Sequence, residues 1–276
     1  MTDRWIEVGD GVLVRRHDEL DLSAGLVLGD RGCLLVDTRG DVGQGAQLAA
    51  AVRSVTPLPW QVALSHAHFD HCLGTAALLP AHVWAHPGCR DDLARGGARQ
   101  HAEARGWRRG AGHVTPVVPD RMVAARTELD VGGRRVLLDH LGRGHTDHDV
   151  VVSVPDAGVV FAGDLVEQGA PPAFEDAFPR EWPGTVTALL GLGAGTVVPG
   201  HGEPVDGCFV AGQRDELTDL AAACVAVATG ELDVAGALRR SPYDAATTRI
   251  ALYRTAAVGR ASNLPPGPFR PHHEGD

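Results

Sequence analysis

Within six consecutive residues, His66-Ala67-His68-Phe69-Asp70-His71, the chain places three imidazoles and a carboxylate. The cluster follows Gln61–Leu64, a short apolar run that reads as a strand. Side chains two residues apart in extended backbone point to the same side, so His66 and His68 project together. Asp70 and His71 follow in a turn and can face a second position. Imidazole and carboxylate together suit Zn(II), and also Fe(II) or Mn(II). No structural core needs four such side chains side by side, because burying them unpaired is costly.

This motif resembles the HxHxDH signature of the metallo-β-lactamase superfamily. The resemblance implies further residues in a fixed order, and the chain supplies each of them. Asp37 follows the apolar run Leu34-Leu35-Val36, and Gly144-His145-Thr146 comes after Val136–Leu138. Asp164 ends Phe161-Ala162-Gly163-Asp164, after Val159-Val160, and Pro199-Gly200-His201-Gly202 follows Thr196-Val197-Val198.

By that resemblance, His66, His68 and His145 hold one metal, Asp70, His71 and His201 hold a second, and Asp164 bridges the two. The implied cofactors are two Zn2+ per chain, with Fe or Mn as alternatives. Two divalent ions against two carboxylates and a bridging hydroxide leave one net positive charge, enough to stabilise a developing oxyanion. The hydroxide would attack a small ester-like, thioester or lactone carbonyl. Asp70 is also the candidate catalytic group, guiding the nucleophile or carrying a proton. Asp37 is expected behind the ligands, orienting one of them or the backbone of the His66 loop. The implied fold is a four-layer αββα sandwich.

Asp164 is the residue that sorts branches. It resembles the glyoxalase II-like hydrolase branch more than the true β-lactamases, which carry Cys at that position or no bridge. Glyoxalase II-like enzymes bind glutathione through basic and Tyr residues, whereas this chain has no Lys and only Tyr243 and Tyr253. A mononuclear iron persulfide dioxygenase reuses the same scaffold and is the alternative from another reaction class. Hydrolysis of β-lactams is a further alternative.

The positioning elements follow from periodicity. Residues 5–40 read as β, with Val12–Val14, Ala24–Leu28 and Cys33–Asp37 as strands; Ala81–Ala85, Val136–Leu138, Val150–Val154 and Val159–Ala162 add more. Helices are predicted over 42–55, over 72–79 up to Pro80, and around 184–192, 209–229 and 243–258. Residues 88–109 read as a polar helix with six Arg against three acids, either a solvated face or a basic rim beside the substrate site. Asp164 fixes the start of a Pro-rich loop, 165–184, so that Glu167, Phe174, Phe178 and Trp182 either line the substrate pocket or anchor a surface loop. His148 is a further pocket candidate. His17, His82, His101, His113 and His140 read as structural or surface groups, and His86 as a loop residue.

The whole chain has 276 residues, 44% of them apolar. One domain over 1–260 is expected, with the C-terminal helices 209–258 packed on it and a disordered Pro-rich tail, 261–276, carrying His272 and His273. A net charge of −10 argues against nucleic acid as a partner. All 25 basic residues are Arg, so an anion held by a side-chain cation must be held by Arg or by metal. No apolar run reaches the roughly 18 residues of a membrane span. The five Cys include no CxxC pair and read as reduced thiols. With no secretory signal at the N-terminus, a cytoplasmic enzyme acting on a small molecule is the expectation.

Overall fold

Alternation within short apolar runs builds the layers. The computed structural model describes residues 4–107 and 115–259, which contain twelve strands and eight α-helices. The first half holds β1 (Trp5–Gly9), β2 (Val12–His17), β3 (Leu22–Leu28), β4 (Cys33–Val36), β5 (Trp60–Ala63), β6 (Val83–Ala85) and β7 (Arg121–Met122). Its helices are α1 (Val42–Arg53), α2 (Phe69–Cys72), α3 (Pro87–Ala94) and α4 (Ala98–Trp107). The second half holds β8 (Arg126–Val131), β9 (Arg134–Asp139), β10 (Val151–Val154), β11 (Val159–Glu167) and β12 (Thr196–His201). Its helices are α5 (Trp182–Leu190), α6 (Gly207–Thr229), α7 (Val234–Arg240) and α8 (Ala245–Gly259).

Strands β4 to β7 run parallel, as do β11 and β12; the other pairs are antiparallel. The two halves join through the pairing of His201 with Leu22, so the sheet curls and packs on itself. On β4, Leu34 and Val36 point into the space between the halves, where Val14, Val136, Val152, Phe161 and Val198 meet them. Cys33 and Leu35 point the other way, onto Leu48 and Val52 of α1 and Leu93 of α3. On β11, Phe161 faces inward, while Val160 and Ala162 face Trp182 and Val186 of α5 and Leu217 and Leu220 of α6. This period of two gives helix, sheet, sheet, helix: the αββα order. Each of the Val, Leu and Phe side chains among them, fully buried, contributes about 1.5–3 kcal/mol.

Three elements depart from the sequence reading. The stretch 72–79 is not one helix: α2 ends at Cys72, and a single 3₁₀ turn spans Thr75–Leu78. Gly74 separates them because a side chain there would meet the Thr38 carbonyl oxygen at 1.9 Å. The backbone bonds instead across to the neighbouring segment, Thr38 N–H to His71 O and Gly74 N–H to Arg39 O, each at 2.8 Å. The stretch 88–109 splits into α3 and α4 at Gly96-Gly97, both with positive φ. The loop after Asp164 starts later than expected, since β11 continues to Glu167 alongside β12, and α5 starts at Trp182. Helix α7 adds an element, capped by the Asp233 side chain accepting from Gly236 N–H at 2.6 Å. The tail 261–276, with His272 and His273, and His113 lie outside the described residues. Among the described residues, no helix is long and apolar enough to cross a membrane.

Candidate metal centre

Parallel strands aim their C-terminal ends at one spot, the usual place for a site in an α/β sheet. Asp37 follows β4, His66 and His68 follow β5, Asp164 lies within β11 and His201 closes β12. Helix α2 brings Asp70 and His71, and the β9–β10 connection brings His145. The donors form two groups, His66 with His68, His145 and Asp164, and Asp70 with His71 and His201. Within each group the donor atoms all lie within 4.8 Å of one another.

Asp164 stands between the groups. Its Oδ2 is 3.4 Å from His145 Nε2 and 3.7 Å from His66 Nε2, and also 3.4 Å from His201 Nε2. Its Oδ1 is 3.1 Å from His71 Nε2. The Asp70 carboxylate completes the second group, with Oδ2 at 3.4 Å from His201 Nε2. Gly200 permits this approach, because a Cβ there would lie 1.8 Å from Asp164 Oδ1.

Hydrogen bonds behind the rings decide which nitrogen is free. Asp37 Oδ1 accepts from the Ser65 N–H at 2.7 Å. Its Oδ2 accepts from Ser65 Oγ and from His71 Nδ1, each at 2.8 Å. His71 therefore carries its proton on Nδ1 and turns a lone pair on Nε2 to the centre. Ser65 Oγ, its own proton given to Asp37, accepts from His66 Nδ1 at 2.9 Å and leaves His66 Nε2 unprotonated. His201 Nδ1 donates to the Leu20 carbonyl at 2.8 Å, with the same result. His68 is turned the other way, with Nδ1 2.8 Å from His145 Nε2 and Nε2 3.2 Å from Asp176 Oδ1.

The donor set fits divalent cations on its own geometry. His66 Nε2 and Asp164 Oδ1 are buried with no hydrogen-bond partner among the described residues. Such atoms are costly unless something outside the protein meets them. Burial, together with the neighbouring His71, holds His66 well below the usual imidazole range, and burial lowers His145 too, so both stay neutral donors. Burial alone would raise the Asp164 carboxyl; His71, His201, His66 and His145 around it outweigh that and hold it well below the usual carboxylate range.

A cavity of about 420 Å³ opens on this centre. His68, Asp70, His145, Asp164, His201, Glu167 and Phe174 reach its wall. His66 and His71 lie fully buried beneath. Burial, and then Asp164, push the Glu167 carboxyl up to about 8. Three residues expected at the pocket lie elsewhere. Trp182 is fully buried, donates from Nε1 to the Leu165 carbonyl at 3.1 Å and packs its ring 5.7 Å from that of His145. Phe178 is buried under the guanidinium groups of Arg143 and Arg254. His148 lies behind the ligand loop, its Nε2 accepting from the Ala67 N–H at 3.2 Å. Apolar anchoring claims the two aromatics, and backbone bonding claims the histidine.

Sequence reasoning missed Asp176 and Trp107, and left Arg99 as one basic residue among several. Asp176 lies in the loop after β11 and holds the far nitrogen of His68, while Arg99 of α4 touches both of them. Arg254 of α8 pins that loop, donating to the Asp176 and Ala177 carbonyls at 2.7 Å. A lone acid in a loop carries no spacing that would reveal it.

Fold and donor set together define a metal-site protein of αββα architecture. The sequence model of the metallo-beta-lactamase superfamily matches residues 18–201, and the chain belongs to that superfamily. It is 27% identical over 191 residues to the metallo-beta-lactamase type 2 of Bacillus cereus, covering 67% of this chain and 68% of that protein. Among solved structures, the metallo-beta-lactamase from Pontibacter korlensis aligns at a TM-score of 0.65 with 21% identity, covering 78% of this chain and 99% of its own. The stereoselective inverting sec-alkylsulfatase Pisa1 from Pseudomonas sp. aligns at 0.74 with 17% identity, covering 95% of this chain and 52% of its own.

Proposed function

We propose that the chain uses two zinc ions to hydrolyse the acyl bond of a small ester, thioester or lactone. The observation that carries this reading is the Asp164 carboxylate, set between two groups of imidazole and carboxylate donors, with Oδ1 buried, facing His71 Nε2 at 3.1 Å and without a hydrogen-bond partner among the described residues. His66, His68 and His145 would hold one ion, Asp70, His71 and His201 the other, and Asp164 both. Ions held in this way supply Lewis acidity and lower the pKa of water to roughly 7.

The protein's own groups do the rest. Asp37 and Ser65 fix the protonation of His66 and His71, so their donor nitrogens stay free. Asp70 lies on the cavity wall, where its carboxylate orients the nucleophile or takes its proton. Phe174 and Glu167, buried along the same wall, limit water around the reacting bond. An Asp at position 164 favours the glyoxalase II-like hydrolase branch. The cavity volume suits a small molecule, and the net charge of −10 disfavours nucleic acid. The cysteines are all free, which supports a reducing compartment, the cytoplasm.

The test is elemental analysis of protein purified without added metal, paired with a thioester, lactone and β-lactam panel. About two zinc ions per chain with turnover of a thioester or lactone supports the proposal. One iron per chain, no hydrolysis and oxygen uptake with a persulfide overturns it in favour of dioxygenase chemistry. Turnover confined to β-lactams overturns the substrate class.

A further inference from the structure

Residues 18–201, the span shared with the superfamily, end before helices α6, α7 and α8. Helix α8 nevertheless reaches the metal centre. Its Ala251 is fully buried in the cluster that holds Leu217, Leu220 and Cys224 of α6, so one face of the helix is fixed against the sandwich. On the neighbouring stripe, Thr247 and Ile250 reach the cavity wall, and Arg254 meets the loop after β11. Spacings of three and four residues put these side chains on one face.

Arg254 takes two successive peptide carbonyls. Its Nε donates to Ala177 O and its Nη2 to Asp176 O, each at 2.7 Å, and its Cζ lies 5.2 Å from the centre of the Phe178 ring. A planar fork on adjacent carbonyls fixes both the place and the tilt of the segment. That segment touches the supports of two donor histidines. The Asp176 carboxylate is 3.2 Å from His68 Nε2, and the Phe178 N–H donates to Gly144 O at 2.8 Å, one residue before His145. Arg99 of α4 meets the Asp176 carboxylate from the other side, while Arg254 fixes its backbone. His68 and His145 belong to one donor group, with His66 and Asp164. In the other group, Asp37 holds His71 and the Leu20 carbonyl holds His201, and both supports come from other segments.

We infer that Arg254 is a positioning residue for the metal held by His66, His68 and His145, and that α8 tunes the affinity of that group through the 176–178 segment. Without the two N–H donors, the carbonyl of the buried Ala177 loses the bond that Arg254 supplies, and an unmet buried carbonyl draws the segment towards water. The Asp176 carboxylate then leaves the far nitrogen of His68, and the Gly144 carbonyl loses its hold on the chain beside His145. Both rings lose the fixed direction that a partner behind a ligand provides. This rests on the reading of zinc at the centre and adds to it a residue that works through two others.

The experiment compares the full chain with Arg254→Met, which keeps an apolar stem over Phe178 and removes both donors. Stepwise zinc competition against a chromophoric chelator reads the two affinities, and His145→Ala and His201→Ala assign each step to its group. Affinity at His66, His68 and His145 is expected to fall about three- to thirtyfold, while that at Asp70, His71 and His201 keeps the parent value. Arg254→Lys recovers part of the loss, since its ammonium reaches the same carbonyls without the fork, and its smaller selective loss carries the test where Arg254→Met does not fold. Combined with Asp176→Asn, Arg254→Met adds less than its separate loss, because both act through one segment. Leu48→Ala empties a buried site on α1, in the other half of the sandwich, so it lowers Tm and leaves the ratio of the two affinities unchanged. Parent affinities in Arg254→Met, or an equal loss at both groups, overturn the inference and leave the metal reading intact. A parent chain that takes up no zinc overturns the metal reading and the inference with it.

Discussion

Replacing Asp37 by Asn changes one atom in the carboxylate that accepts from Ser65 N–H, Ser65 Oγ and His71 Nδ1. Asn suits the backbone there, since Asp37 has φ +64 and Asp and Asn tolerate that region best among side chains with a Cβ. With Oδ1 kept on the Ser65 N–H, the new NH₂ group faces the His71 Nδ1–H. Two donors cannot share that contact, so His71 must move its proton to Nε2, the nitrogen it offers to the centre. The predicted consequence is a loss of about 10- to 100-fold in affinity for the metal at Asp70, His71 and His201, the usual effect of removing a partner behind a ligand. Affinity at His66, His68 and His145 changes less. Without metal, Asp37→Asn destabilises by about 1.5–3 kcal/mol, one lost hydrogen bond to a charged group. Asp37→Ala leaves three buried donors without an acceptor, at about 1–3 kcal/mol each, and destabilises more. Stepwise zinc competition against a chromophoric chelator measures the affinities, and denaturant melts of metal-free protein measure stability. Asp37→Asn protein that binds both ions as tightly as the parent would refute the reasoning, because His71 would then be a donor without Asp37 fixing its tautomer.

Three further outcomes follow from the geometry. Asp176→Asn removes the carboxylate behind His68 and is expected to weaken zinc at His66, His68 and His145 about tenfold, with the other ion little affected; equal loss at both would make Asp176 only a partner of Arg99. Trp182→Ala empties a fully buried site and is expected to cost about 3–5 kcal/mol. That is a drop on the order of 10 °C in Tm, and an unchanged Tm with an altered KM would return Trp182 to the pocket. His86 caps α3 by accepting from Gly88 N–H at 3.0 Å, and burial with His140 lowers its pKa to about 4. The unfolded chain takes up that proton near pH 6.5, so the folded state loses stability as pH falls from about 6.5 towards about 4. His86→Asn keeps a cap without the titration, so its denaturation midpoint should fall less than the parent's between pH 7 and pH 5; parallel midpoints would dismiss His86 as the source.

The donors were legible because their signal is local. His66, His68, Asp70 and His71 sit within one short stretch, Asp164 and His201 each close an apolar run, and His145 stands in a Gly-His-Thr setting a few residues beyond another. What surrounds them was not legible, because it is assembled from distant segments. Asp176 lies 108 residues from His68 and Arg99 lies 31 from it, so no spacing marks either. Aromatics near Asp164 posed a different problem. Composition cannot tell an anchor from a pocket wall, and packing divided them, with Phe174 reaching the cavity while Trp182 turned into the core. The pattern over 72–79 failed for a third reason. Apolar residues there satisfy a helical period, but backbone contact between Gly74 and Thr38 rules out a continuous helix.

The same arrangement ties the site to the stability of the fold. Five separate segments, carrying Asp37, His66 to His71, His145, Asp164 and His201, meet at the centre, and they are brought there by both halves of the sheet. In the metal-free chain they hold His66 Nε2 and Asp164 Oδ1 buried without hydrogen-bond partners among the described residues, at about 1–3 kcal/mol each. That cost is tolerable only because other groups hold the ligands from behind: Asp37 on Ser65 and His71, Leu20 on His201, Asp176 on His68. A bound ion removes the penalty and adds its own binding energy, which reaches the whole fold because a ligand that binds only the native state stabilises by about 2.7 kcal/mol at a hundred times its Kd. Since His201 also forms the ladder pair that joins the two halves, metal at the centre secures the seam of the sandwich as well as the chemistry.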